Sequence, residues 1–520
     1  MITTIAKTVL PKTAVADGAI PASHSRIRTA VTAVILLVIF IAGFAVVQYG
    51  TPALAGNDGY YHMKMGYLIR QEGLKVDFPY LPLTILNEDA FYDHHMLYHA
   101  FLALFATTDP AVDGGLALTR GAKIASIIMP SLAFLAIWWL LRGQKVPYAA
   151  IWSVALFASS EAFLYRMSMP RAQSASLLLL AIGLHLLLTG RYKWLLLLGF
   201  LYVWFYNAFP LLVVMAVVYA AAVFLLQRRI VWQAVVYPVV GIGLGLLINP
   251  YFPQNIAFIL GHLAPKVGES TTKVGNEWNP YRTWTLVENS GVALFSMLAG
   301  ALALGWREER IDKASLTALG LAAVFGYMLF QSRRFVEYFP PFALLFLAFT
   351  TAPLLRDWRK RVAEIRPYLV YALPAAMLLL LAYPLFVSLR DGRELISRSS
   401  PPDRYAQAAI WLHDNAPGAT IFQTDWDDFT RLFFYNTDAV YTAGLDPTFM
   451  ELYDADLFEE WKQITRGKVD NPGAAIRDRF GGDYVFSDLK HKAFMSDAEA
   501  DPLLTEVYRD EYAVIYAVEK

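Results

Sequence analysis

Thr29 to Tyr49 reads TAVTAVILLVIFIAGFAVVQY, and the chain leaves that run through Asn57-Asp58-Gly59-Tyr60-Tyr61-His62. The run carries no charge and has the length of about 20 residues that a helix needs to cross a bilayer. An acid and a histidine directly beyond it put titratable groups at a membrane surface, at the start of a first loop spanning residues 50–120.

The rest of the chain fits that beginning. Of 520 residues, 57% are hydrophobic and only 17% charged, with a mean hydropathy of +0.40, beyond the range of soluble globular chains. About eleven windows of spanning character recur. They lie near Thr29–Tyr49, Ala122–Leu141, Pro147–Ser160, Ser174–Thr189, Trp194–Phe209, Leu211–Leu226, Val231–Ile248, Gly291–Trp306, Ala314–Phe330, Tyr338–Leu355 and Tyr368–Val387.

The fifth and sixth form one apolar run, interrupted only around Asn207 and Pro210, and basic residues decide whether to divide it. With Arg26 and Arg28 holding residues 1–28 as a cytoplasmic tail, every even-numbered span should end in a basic loop. Arg142 with Lys145, Arg191 with Lys193, Arg228 with Arg229, Arg307 with Arg310 and Lys313, and Arg356 with Arg359, Lys360 and Arg361 all comply. Merging the two spans would break the pattern. An odd number of spans puts the C-terminus outside. Ala53-Leu54-Ala55 resembles a signal-peptidase site, but the run before it is longer than a signal sequence needs, and Asp58 faces outside in either case.

Zero net charge gives no bulk attraction for nucleic acid, and the absence of cysteine fits an exported surface without disulfides. No internal repeat or inverted pair of interrupted helices points to a secondary transporter. Beyond Arg390 the apolar windows shorten and turn signals such as Ala416-Pro417-Gly418 and Gly481-Gly482-Asp483 appear. A helix at Tyr405–Asp414 and strands at Ala419–Gln423, Tyr484–Phe486 and Tyr512–Val518 make 390–520 a soluble extracytoplasmic α/β domain, behind a membrane domain at 29–389.

Four segments then face outside: residues 50–120, a turn at Tyr165–Gln173, a late loop at 249–290 and a turn at Gln331–Glu337. The first carries Asp58, His62, Asp93, His94 and His95, then an apolar stretch, Met96–Phe105, that is too short to span and is predicted to lie on the outer surface. Asp58 suits a general base toward an acceptor hydroxyl or amine, and equally a solvated acid at a helix start. His95 and His99, four residues apart, can share one helix face toward a metal, though no glutamate completes a known zinc motif.

Arg166 and Arg171 in the second segment and Arg333 and Arg334 in the fourth break the charge asymmetry kept elsewhere. They are candidates to grip phosphate, the alternatives being headgroup contact or pairing with Glu161 and Glu337. In the late loop, Val274-Gly275-Asn276-Glu277-Trp278-Asn279-Pro280 with Trp284 suits sugar recognition, or interfacial anchoring by its tryptophans. Asp425-Trp426-Asp427-Asp428 reads as a solvated acidic loop, since the ligand ladder of a calcium loop is missing.

Taken together these motifs resemble the glycosyltransferase C superfamily, and within it the oligosaccharyltransferase catalytic subunit. Asp58-Gly59-Tyr60-Tyr61-His62 looks like that family's first acidic motif, and Glu277-Trp278-Asn279-Pro280 is similar to its fifth-loop motif. The resemblance implies an inverting glycosyltransferase on a polytopic helical membrane fold. It also implies a polyprenyl-phosphate-linked sugar as donor, membrane lipid around it, and an acceptor of unspecified kind. Asp58, Asp93 and Glu277 are the candidate catalytic acids; His62, His94, His95, Arg166, Arg171, Trp278, Arg333 and Arg334 are the candidate substrate contacts.

The chain departs from the family in two places. Its second external segment lacks the paired acidic motif and it has no Trp-Trp-Asp sequon motif, which argues against asparagine glycosylation. No cofactor is assigned; Asp58 and Glu277 are the ligands left for a divalent Mg or Mn ion. The location expected is a bacterial inner membrane with the C-terminal domain periplasmic. A non-enzymatic carrier or envelope-assembly factor that binds lipid phosphate is the alternative function.

Overall fold

The computed structural model describes residues 22–263, 275–307 and 309–520. Residues 1–21 of the predicted tail and 264–274 of the late loop, Val274 included, lie outside that set.

Each of the eleven apolar windows falls on a helix. Among the described residues, seven helices are long and apolar enough to cross a membrane, including Arg26–Gln48, Leu116–Gly143 and Phe339–Ile365, and an eighth crossing is made if the bent pair Glu161–Ser168 and Gln173–Leu188 counts as one. With this fold, the chain is a multi-pass membrane protein. The remaining three windows, Ala149–Ala158, Trp194–Phe205 and Gln233–Leu247, are shorter apolar helices. Two of these pack backbone to backbone: a Cβ added at Gly241 would meet the Leu196 carbonyl oxygen at 2.0 Å. Close approach through small residues is how helices associate where lipid supplies no hydrophobic drive.

Helices sort by what surrounds them. Leu116–Gly143 has 72% of its apolar window buried in protein, whereas Pro367–Ser397 has 6%, with Leu379, Leu380 and Tyr383 bare on its surface. A helix apolar all round with so little protein contact is one solvated by lipid. That last helix runs to Ser397, past the predicted end at Val387, because Arg390, Asp391, Arg393 and Glu394 continue a good helical sequence that no proline or glycine cap stops.

The first loop is compact. Asp58–Glu72 and Met96–Ala103 are helices packed on each other, with Tyr98, His99 and Leu102 of the second buried against protein rather than spread on a surface.

The C-terminal region forms a five-stranded mixed sheet of order β2-β1-β3-β5-β4, where β1 is Thr420–Gln423, β2 Val440–Tyr441, β3 Tyr484–Asp488, β4 Leu504–Arg509 and β5 Ala513–Val518. β1 runs parallel to β2 and β3; β5 is antiparallel to β3 and β4. The sequence reading missed β2, which is two residues long, and β4, whose outward-facing Thr505, Glu506 and Val507 hide the apolar alternation. Phe429–Tyr435, entirely buried, is the helix that seats this domain on Asp58–Glu72, with Phe434 edge-on to Tyr60 at 5.3 Å.

Candidate active site

Between the helical bundle and the sheet domain lies a cavity of about 540 Å³ whose wall includes Asp58, Arg171, Glu277, Arg334 and Asp427. The elements holding these side chains come from across the sequence. Asp58 opens the helix Asp58–Glu72, where an acid complements the exposed N–H groups and dipole of a first turn. Arg171 sits in the break between Glu161–Ser168 and Gln173–Leu188, a bend of 101°. The two segments touch at Gly59: a Cβ there would stand 2.2 Å from the Pro170 ring, so only glycine lets Asp58 come this close to Arg171.

Arg171 Nη1 lies 3.0 Å from Asp58 Oδ2 and 3.7 Å from Glu277 Oε2, bridging the two acids. Glu277, on the short turn Asn276–Trp278, accepts from Arg166 Nη1 at 2.7 Å and from Arg334 Nη1 at 3.2 Å. Burial alone would raise the Glu277 carboxyl, but Arg334, Arg171 and Arg166 together hold it well below the usual carboxylate range. Arg166 Nε donates to Glu337 Oε1 at 2.7 Å, and Glu337 is completely buried. Of the alternatives the sequence left for the arginines, Arg166 takes Glu337 and Glu277 rather than Glu161.

Arg334 also donates to the Tyr206 hydroxyl and lies 4.9 Å over the Trp278 ring, so Trp278 faces the cavity as part of the site. Arg333 parts from its neighbour. It reaches the Asn279 and Pro280 carbonyls and covers Tyr281, outside the cavity lining, because successive residues of a 3₁₀ turn point about a third of a turn apart. Trp284 is exposed on the helix Thr283–Gly305, consistent with interfacial anchoring.

The opposite wall is built of imidazoles. His62, His94 and His95 line the cavity. Asp93 does not line it: its Oδ1 accepts from the His95 backbone N–H at 2.9 Å and its Oδ2 pairs with His99 Nδ1 at 2.7 Å. Asp93 therefore works through histidine and has no access to a substrate. Burial pushes His62 and His95 well below the ordinary imidazole value, so both rings are neutral.

The acidic stretch at 425–428 corrects the expectation of a solvated loop. Asp428 is buried and Asp427 lines the cavity. Burial, then the charge of Asp58, pushes Asp427 up to about 6. Asn57 ties the stretch to the first loop, donating from Nδ2 to the Asp427 carbonyl at 2.7 Å while its Oδ1 accepts from Arg431 Nε at 2.7 Å. An acidic run after a strand gave no local sign of this, since the burial is made by domain docking.

As a cation site, Asp58 and Glu277 fit poorly. The position between them that a Mg or Mn ion would need is held by the Arg171 guanidinium, and Glu277 is already ringed by two further guanidiniums. Hard divalent cations seek clustered oxygens, which this pair alone does not offer.

Comparison with solved structures shows that the chain shares the fold of glycosyltransferase C proteins. Among them, the Archaeoglobus fulgidus oligosaccharyltransferase in its apo form superposes with a TM-score of 0.64 at 14% identity, over 94% of this chain and 74% of that one. ArnT from Cupriavidus metallidurans, solved bound to undecaprenyl phosphate, gives 0.56 at 13% identity over 93% and 97%. Arabinofuranosyltransferase AftD from Mycobacteria gives 0.56 at 14% identity, over 94% of this chain and 41% of that one. No family model and no curated protein sequence matches the chain.

Proposed function

We propose that the protein is a membrane glycosyltransferase that moves a sugar from a polyprenyl-phosphate donor to an extracytoplasmic acceptor. The observation that carries this reading is Arg171 standing between Asp58 and Glu277, with Arg334 beside it, in one cavity. Guanidiniums placed next to a carboxylate that can take a proton are what displacement of a phosphate from a sugar requires.

In the step proposed, the acceptor hydroxyl attacks the anomeric carbon, its proton passes to Asp58, and the bond from that carbon to the phosphate oxygen breaks. Arg171 and Arg334 take the charge that develops on the leaving phosphate. One displacement inverts the anomeric centre, and no second carboxylate is needed as nucleophile. Asp427, its carboxyl pushed up to about 6 by burial and by Asp58, lies in the same cavity beside the acceptor's proposed position. Arg171 supplies in this scheme the positive charge that a metal would bring.

The complexes of related folds with dolichol-phosphate and undecaprenyl phosphate support a lipid phosphate as the ligand class. The setting proposed is a bacterial inner membrane, with the N-terminus cytoplasmic and residues 390–520 as a periplasmic domain. A decisive assay follows radiolabelled polyprenyl-phosphate sugar in membranes containing the protein or its Asp58→Asn variant. Release of lipid phosphate that the variant loses supports the transferase. Tight lipid binding without turnover, with Asp58→Asn cells indistinguishable from the parent, would establish the carrier reading instead.

A further inference from the structure

We propose that His62, His95 and His99 form a transition-metal site of the zinc class, open on one side to the cavity. One nitrogen from each ring lies within 4.8 Å of the others, and the three side chains are 3%, 8% and 0% exposed. His62 comes from the helix Asp58–Glu72, while His95 and His99 sit one turn apart at the start of Met96–Ala103. Three imidazole nitrogens around a zinc ion stand about 3.3 Å apart at bond lengths of about 2.05 Å, so the cluster closes on an ion by side-chain rotation alone.

Two further observations point to a ligand. The first is the way the cluster is wired. Asp93 Oδ2 accepts from His99 Nδ1 at 2.7 Å, which leaves the lone pair of His99 on Nε2, where it accepts a hydrogen bond from His62 Nδ1 at 2.8 Å that an ion would replace. A carboxylate behind an imidazole, fixing its tautomer and raising its basicity, is the usual support of a metal-bound histidine. Asp93 also takes the His95 backbone N–H, so one acid sets the position of two of the three rings.

The second observation is a missing partner. His95 Nδ1 is buried and makes no hydrogen bond, and its ring is stacked on Tyr206 and tilted against His94. Of the three rings, His62 and His99 are paired within the cluster, and His95 brings a buried nitrogen with no partner to its edge.

The donor set selects the ion. Neutral imidazoles favour zinc, cobalt, nickel or copper, and disfavour magnesium, manganese and calcium, which prefer oxygen. Three protein ligands leave a fourth position. Since His62 and His95 line the cavity, that position faces the space where substrate would bind, the arrangement of an exchangeable rather than a closed structural site. Binding of the ion stands apart from the transferase reading, and one can fail without the other.

The test uses the full-length protein in detergent, stripped with chelator and titrated with Zn²⁺ or Co²⁺, following metal content after gel filtration and the visible Co²⁺ spectrum. One ion per chain with a tetrahedral Co²⁺ spectrum is expected, competed by Zn²⁺ and unaffected by excess Mg²⁺. His62→Asn and His99→Asn should lose it and His94→Asn should keep it. Because a ligand variant can fail to fold, Asp93→Asn serves as the second measure: it keeps all three ligands and should bind about 10–100-fold more weakly. Wild-type protein that takes up no Co²⁺, or binding equal in the wild type and Asp93→Asn, overturns the proposal.

Discussion

The two walls of the cavity solve the same problem, polar groups under cover, in opposite ways. On one side Asp58 and Glu277 neutralise Arg171 and Arg334, backed by the Arg166–Glu337 pair behind the lining, charge against charge. On the other, burial keeps His62 and His95 neutral, and with His99 they lean on a single carboxylate, Asp93. Tyr206 stands between them, its ring stacked on His95 at 5.3 Å and its hydroxyl bonded to Arg334. A wall of compensated charges can exchange one anion for another; a wall of neutral rings offers lone pairs. The first suits a phosphate, the second a soft cation.

This division can be broken from several directions. The largest loss is expected from Asp58→Asn, which keeps the shape of the charged wall but removes the proton acceptor: turnover of labelled donor should fall about 10³-fold with donor binding little changed. Arg171→Gln removes the bridge between the acids and should cost about 10²-fold in kcat, measured in the same assay. If added Mg²⁺ or Mn²⁺ restored that activity, the guanidinium would be standing in for an ion.

Glu277→Gln sharpens the contrast, because it should act in two directions. Arg334, Arg171 and Arg166 lose the carboxylate they surround, so lipid phosphate binds several-fold tighter while kcat falls about tenfold, since tighter ground-state binding brings no rate. Isothermal titration with polyprenyl phosphate, set beside the turnover assay, separates the two.

The smallest effect is on stability. The neutral form of Asp427 is favoured in the folded state, with its pKa up at about 6 against an ordinary value of 3.8. That advantage is whole below about pH 4 and lost as pH rises through 6. Relative to wild type, Asp427→Asn should therefore gain about 1 kcal/mol between pH 4 and 7, after allowing for partial exposure. A thermal shift difference that stays flat over this range would mean that the carboxyl is not buried against Asp58.

Much of this was legible in the sequence because membranes impose simple rules. Apolar length put all eleven windows on helices, Ala149–Ala158 included, with a new helix starting at Pro210, and seven of those helices are long enough to cross a membrane among the described residues. Arginines on the wrong side of the charge pattern marked Arg166, Arg171 and Arg334, and two short motifs marked Asp58 with His62, and Glu277. What the sequence could not give was direction. Arg333 and Arg334 are adjacent and of one type, yet only the second enters the cavity; Asp93 lies two residues from His95 but behind it. Asp427 was out of reach altogether, since its environment is made by a domain packing onto a helix 370 residues earlier in the chain.

That packing carries a consequence for how the protein can change. Both ends of the Asn57 amide are occupied by the C-terminal domain, one by the Asp427 carbonyl and one by Arg431, and Asn57 is the residue before Asp58. The seam between domains is thus also the mount of the acid proposed to take the acceptor's proton. A lineage, or an engineer, cannot trade this domain for another as a free module: Asn57 and Arg431 go together, and a replacement domain must also present a backbone carbonyl where that of residue 427 stands.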